Sequence, residues 1–117
     1  MLLETIQWFN IIDLKDGWKV DLIFLKEDEY SHESFSRRQD SSLLGINVKI
    51  LAPEDVILSK LIWSKMSQLE RQWHDALGVA VVQWKELDQN YLSEWAKKLD
   101  VADLLAKILR EAKNLQE

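Results

Sequence analysis

The chain changes the spacing of its hydrophobic residues once, at Pro53, and this change constrains the fold more than any other feature. Before Pro53, apolar residues alternate with polar ones along short runs, and after it they recur every three or four positions. Alternation is typical of half-buried strands, and the longer spacing is typical of helices with one buried face. Strands followed by a run of helices predict an α+β fold.

The first half of the chain predicts a small, mainly antiparallel three-stranded sheet. Residues 6–14 and 18–25 flank an Asp-Gly pair, and two such runs around Asp-Gly predict a β-hairpin. Residues 46–52 alternate again and predict the third strand. The polar stretch 26–45 predicts a long connection that contains one short helix or turn.

The second half predicts a bundle of about four helices packed against that sheet. Pro53 suits the first position of a helix, where its missing N–H does no harm. Glu54 and Asp55 follow in the first turn, where the helix dipole favours anions. We therefore expect one domain over residues 1–117, with the sheet in 1–52 and the helices in 53–117.

Composition narrows the classes of function. The formal net charge is −5, so the chain lacks the overall basic footprint of a nucleic-acid-binding protein. It contains no cysteine, which excludes disulfides, thiolate zinc sites and a cysteine nucleophile. No apolar run reaches the roughly 18 residues of a membrane helix, and the first residues lack the basic start of a signal peptide. These features predict a cytoplasmic protein without membrane contact.

Seven charged residues are candidates for a functional site: Lys19, Asp21, Arg37, Arg38, Lys60, Arg71 and Asp75. Spacing alone also allows a structural explanation for each of them. Lys19 and Asp21 alternate with apolar residues on a strand, and Lys60 can extend its stem over apolar surface. Arg71 and Asp75 have the spacing of a helix-surface ion pair, which contributes about 0.3–0.5 kcal/mol.

Three blocks of sequence resemble a known family when they are taken in order. They are "FNIIDLKDGWKVDLIF", "VKILAPEDVILSKLIWSK" and "ERQWHDALGV", with the basic pair "RR" after the first and "LDQNYLSEWAKKLDVADLL" after the third, and the ordered match extends over residues 9–105. The set is similar to small bacterial nucleotidyltransferase-like proteins, which include abortive-infection (toxin–antitoxin) type toxins. The most specific pieces are Lys19-x-Asp21 on a strand, Pro53–Leu61, and Arg71–Asp75.

The resemblance implies a role for each charged residue. Asp21 would be the third of three carboxylates that hold Mg²⁺, which bridges the nucleotide phosphates. Five cations would bind nucleotide phosphate: Lys19, Arg37, Arg38, Lys60 and Arg71. Asp75 would orient Arg71 or Lys60. The first two acids of the family come from a Gly-Ser … Asp-x-Asp element, which does not precede Asp21 in this sequence.

Three interpretations follow from the missing element. We favour a truncated nucleotidyltransferase-like domain that does not catalyse alone, needs no cofactor, and acts as a binding or interaction module. The alternative is one subunit of a split Mg²⁺-dependent nucleotidyltransferase, whose partner chain, encoded upstream, supplies the other carboxylates. A plain structural domain that resembles the family only in its fold is the third. An uncovered sheet edge must be paired or protected, so we expect a homodimer or heteromer through residues 6–12 or 18–25.

Overall fold

The structure is a computed structural model that describes residues 8–12, 15, 19–23, 28–68 and 70–116. Its internal contacts divide the chain into two units, residues 1–36 and 37–117. The expectation of a single domain over residues 1–117 stays a prediction.

The first unit contains a pair of strands and one short helix. Strand β1 (Trp8–Ile12) pairs with β2 (Lys19–Ile23) antiparallel, with Phe9 opposite Leu22. The Asp-Gly turn predicted between them lies outside the described residues. Helix α1 (Glu29–Ser36) follows. The carboxylate of Asp28 accepts a hydrogen bond from the Ser31 N–H at 2.7 Å, which stabilises the start of this helix.

The second unit begins with a β-ribbon. Strand β3 (Gln39–Leu43) pairs antiparallel with β4 (Ile46–Ile50), and Leu43 lies opposite Ile46. Leu44 and Gly45 form the two-residue turn between them, both with positive φ, at 53° and 80°. Two positive φ angles are the requirement of a type I′ turn, whose twist matches that of the flanking strands.

The α+β class agrees with the prediction, but the predicted three-stranded sheet with four helices is wrong. In the described residues the strands form two separate two-stranded antiparallel sheets, β1–β2 and β3–β4. The described residues also contain five α-helices. The error lies in residues 26–45, where the predicted connection contains strand β3 in addition to the short helix α1. Strand β4 therefore pairs with its sequence neighbour and not with the first hairpin.

Four helices follow the ribbon and supply the core of the second unit. Their bounds are α2 (Pro53–Ser67), α3 (Glu70–Val82), α4 (Gln89–Lys98) and α5 (Ala102–Asn114), with a 3₁₀ turn at Trp84–Glu86. Helix α2 packs against α3 and α4, and α5 packs against the same two helices. None of the described helices is both long enough and apolar enough to cross a membrane.

The core of this helical layer is made of aliphatic side chains and alanines. The large buried residues are Ile57, Leu58 and Leu61 of α2, Leu92 of α4 and Ile108 of α5. Burial of each such side chain contributes about 1.5–3 kcal/mol. Ala76 and Ala80 of α3 are also buried, and their small side chains allow neighbouring helices to approach closely. This core fixes the first turns of α2 and α4, where a set of charged and polar groups meets.

Candidate functional site

A network of charged side chains joins the start of β3 to the start of α2. Arg37 stands just before the ribbon, and Glu54 and Asp55 are in the first turn of α2. The Arg37 Nε donates a hydrogen bond to Asp55 Oδ2 at 3.1 Å, and its Nη2 donates to Glu54 Oε1 at 2.7 Å. One guanidinium thus bridges two adjacent carboxylates and uses its planar fork to do so.

Tyr91 of α4 completes this network. The central carbon of the Arg37 guanidinium lies 3.7 Å from the centroid of the Tyr91 ring, which is a cation–π contact. The Tyr91 hydroxyl donates a hydrogen bond to Asp55 Oδ1 at 2.6 Å. Both oxygens of Asp55 therefore have a donor inside the protein.

Glu54 makes the remaining link to α4. Its Oε2 accepts a hydrogen bond from the Asp88 backbone N–H at 2.8 Å. Asp88 is itself the N-cap of α4, because its Oδ1 accepts from the Tyr91 N–H at 3.0 Å. We call Arg37, Glu54, Asp55, Asp88 and Tyr91 the Arg37 network. It ties the entry to β3 and the N-termini of α2 and α4 together.

Burial makes the electrostatics of this network strong. Asp55 is 0 % exposed and Glu54 is 5 % exposed, and buried carboxylates require a counter-charge and hydrogen-bond donors. Burial by itself lowers the pKa of Arg37, but the hydrogen bond and charge of Asp55, with Tyr91 and Glu54, raise that pKa above its ordinary value. The guanidinium is therefore held in its charged form opposite the two carboxylates.

A second ion pair connects α2 with α3. The Lys60 Nζ lies 3.1 Å from Asp75 Oδ2, and Lys60 is only 5 % exposed. Asp75 was predicted to orient Lys60 or Arg71, and the structure brings it to Lys60; its orienting role stays a prediction. Arg71 lies one turn before Asp75 on α3 with an exposed side chain, and Arg38 is also exposed.

Lys19 and Asp21 lie on β2 in the first unit. The strand register sets Asp21 opposite Asn10 and Lys19 opposite Ile12. This strand pair supplies one carboxylate, whereas the resemblance implies three acids around Mg²⁺. Among the described residues, no group of three or more His, Asp or Glu side chains is arranged to hold a metal ion. The donor set of the described residues does not fit the Mg²⁺ site of a nucleotidyltransferase.

Sequence reasoning missed four of the five members of the Arg37 network. Glu54 and Asp55 were attributed to the helix dipole alone, and neither Tyr91 nor Asp88 was considered for a site. The one local signal was Asp88 at the start of a helical pattern, where it suits an N-cap. The other hydrogen bonds join residues that are 17 to 36 positions apart, and spacing within one element does not reveal such pairs.

Two further features lie away from the predicted residues. A shallow hollow of about 660 Å³ lies between the Trp84–Gln89 segment and residues 106–113 of α5, and no predicted site residue lines it. Gln72 of α3 is buried, and its amide N and O have no hydrogen-bond partner among the residues that the structure describes. Compared with protein-family models, with curated proteins and with solved structures, the chain matches none of them.

Proposed function

We propose that this chain is a nucleotidyltransferase-like protein that does not catalyse alone and acts as a binding or interaction module. In this proposal it works in the cytoplasm as a homodimer or as part of a heteromer. The observation that carries the proposal is the pairing of Arg37. This cation, expected at nucleotide phosphate, bridges two buried carboxylates of its own chain.

The energetics of Arg37 support an architectural role. To bind a phosphate through the same fork, the guanidinium would have to release Glu54 and Asp55. Removing one partner from a buried ion pair costs about 3–5 kcal/mol, because a buried charge is left uncompensated. A phosphate contact at this place would have to offset that cost before it contributed any affinity.

Lys60 supports the same conclusion from another element. It is buried and contacts Asp75, so its charge is already balanced between α2 and α3. With Arg37 and Lys60 both paired to carboxylates, two of the five predicted phosphate-binding cations serve contacts inside the second unit. A protein of net charge −5 also has little long-range attraction for a nucleotide polyanion.

The interaction part of the proposal is supported by the sheets. Each described sheet has two strands, so each strand has one edge without a partner strand among the described residues. Edge strands present backbone N–H and C=O groups that pair readily with another chain. In the ribbon, Ile46 and Ile50 are 65 % and 48 % exposed, which adds an apolar surface beside one of these edges.

Titration with nucleotide tests whether the chain binds a transferase substrate by itself, which catalysis would require. We expect no saturable binding of ATP or CTP to the purified chain with Mg²⁺ present, measured by isothermal calorimetry up to millimolar nucleotide. The matched variant is Asp21→Asn, which should give the same trace as the wild type. Mg²⁺-dependent binding that is lost in Asp21→Asn would contradict the proposal and favour the split enzyme.

A further inference from the structure

The outer edge of β4 has the pattern of a surface that pairs with itself. We propose that two copies of this chain associate by antiparallel pairing of their β4 strands, with the two-fold axis at Val48. This inference rests on the proposed interaction function and assigns its partner as a second copy. It places the contact on β4, and not on the strands of residues 6–12 or 18–25.

The backbone of β4 leaves the required groups at its outer edge. In an antiparallel pair, residues alternate between those that bond the neighbouring strand and those that do not. The pair that closes a two-residue turn, here Leu43 and Ile46, is a bonded pair. Ile46, Val48 and Ile50 therefore direct their N–H and C=O groups to β3. Those of Asn47 and Lys49 point to the other side, where no described strand pairs with β4.

A two-fold axis at Val48 matches these groups. It sets Asn47 opposite Lys49 of the second copy, and the reverse, so that both outward residues form bonded pairs. Four backbone hydrogen bonds result. Val48 lies opposite Val48 of the second copy as a non-bonded pair, the closer of the two pair types.

The side chains repeat the same symmetry. The sequence Ile46-Asn47-Val48-Lys49-Ile50 reads apolar, polar, apolar, polar, apolar from either end. Pairing about Val48 sets Ile46 beside Ile50 of the second copy, twice, and joins six apolar side chains on one face. Ile46 and Ile50, which are well exposed in the single chain, then cover one another, and the interface is isologous.

Charge and composition favour β4 over β3 as the paired edge. Lys49 forms an ion pair with Asp40 of its own ribbon, and Asn47 of the second copy would lie opposite it, so like charges do not directly oppose. The same operation on β3, centred on Ser41, would set Asp40 beside Ser42 and Gln39 beside Leu43, which joins no pair of apolar residues.

A disulfide trap tests the register. The chain has no cysteine, so Val48→Cys introduces a single thiol. In a non-bonded antiparallel pair the two Cα atoms are about 4.5 Å apart, which a disulfide can span. In Asn47→Cys, the matched control, the two thiols lie on a diagonal with Cα atoms about 7–8 Å apart, beyond that span. Under mild oxidation at high micromolar concentration, we expect Val48→Cys to become mostly covalent dimer and Asn47→Cys to remain mostly monomer.

A second variant removes the pairing without a new bond. Asn47→Pro deletes an N–H that faces outward and breaks no bond to β3, which is where a strand tolerates proline. We expect the dissociation constant of the dimer to rise at least about tenfold, with an unchanged circular dichroism spectrum. Val82→Lys, which removes an exposed apolar residue of α3, should leave the constant unchanged.

Two results would overturn this inference. The first is a yield of covalent dimer from Val48→Cys that is no greater than the yield from Asn47→Cys. The second is a dimer of Asn47→Pro whose dissociation constant equals that of the wild type. Either result, with self-association intact, rejects the β4 contact and leaves the interaction function standing. The nucleotide titration tests the proposed function separately. Mg²⁺-dependent nucleotide binding that is lost in Asp21→Asn would reject that function, whatever the cross-links show.

Discussion

Arg37 and Arg38 are adjacent in the chain, yet their surroundings differ. Arg37 bridges Glu54 and Asp55 and lies against the Tyr91 ring, while the Arg38 side chain is exposed. From sequence alone, the pair suggests two equivalent cations. In the structure, Arg37 connects the start of β3 to the N-terminus of α2.

Substitution of each arginine separates these roles. Arg37→Ala should lower the free energy of unfolding by about 3 kcal/mol, because two buried carboxylates lose their counter-charge. Arg38→Ala should change it by less than about 0.5 kcal/mol, as surface substitutions usually do. Urea unfolding followed by tryptophan fluorescence measures both, and equal losses in the two variants would show that the Arg37 network is not a source of stability.

The ion pair of Lys65 and Asp100 makes the free energy of unfolding depend on pH. The Lys65 Nζ donates to Asp100 Oδ2 and to the Asp100 backbone carbonyl, both at 2.7 Å. The hydrogen bond from Lys65, and then its charge, lower the pKa of the Asp100 carboxyl. A carboxyl with a lowered folded pKa stabilises the protein above its unfolded pKa and loses that contribution as pH falls through the folded value.

We therefore expect Lys65→Met to be less stable than the wild type at about pH 6, where Asp100 is ionised in both the folded and the unfolded chain. The difference should be small, because both side chains are exposed, and it should shrink as pH falls below about 4. Urea unfolding at a series of pH values measures it. A difference that stays constant down to about pH 2 would mean that the carbonyl contact, and not the carboxylate, stabilises this connection.

The helices show which elements the sequence can predict. Apolar spacing after Pro53 predicts four helices, and α2 to α5 occupy those stretches because one stripe of each helix is buried. Strand β3 was missed because Gln39-Asp40-Ser41-Ser42-Leu43 has no alternation of polar and apolar residues. Its turn was missed as well, because leucine stands at the first positive-φ position, where asparagine usually marks a hairpin.

The turn of the ribbon provides a prediction at the element scale. Left-handed backbone costs a leucine about 1–2 kcal/mol, whereas asparagine adopts it more readily. Leu44→Asn should therefore raise the free energy of unfolding by about 0.5–1 kcal/mol. Gly45→Ala should lower it, because Gly45 has φ near 80°. Chemical denaturation measures both, and a destabilised Leu44→Asn would mean that the exposed Leu44 side chain makes a contact that outweighs the strain.

The network residues show why the candidate site was predicted only in part. Asp75 was expected to orient Arg71 or Lys60, and it contacts Lys60, because α2 and α3 are sequence neighbours that pack side by side. The contacts of Arg37 join a loop to two helices, and they depend on how the chain returns on itself. Patterns within one element carry no information on contacts between distant parts of the chain. The sequence therefore indicates only a helix-dipole role for the two carboxylates that bind Arg37.

At the scale of the whole molecule, two of the cations expected to bind phosphate are paired within the helical unit. The ribbon meanwhile leaves an apolar, self-complementary edge without a partner strand among the described residues. These two features lead to one account, in which the charged network holds the entry to the ribbon in place and the ribbon makes contact with another chain. We therefore expect the chain to self-associate without any added ligand.

The molar mass in solution tests this account most directly. Multi-angle light scattering should give the 13.8 kDa mass of one chain at low concentration and approach twice that mass at high micromolar concentration. Asn47→Pro should keep the mass of a single chain over the same range. A wild-type protein that remains at 13.8 kDa at every concentration would contradict the account.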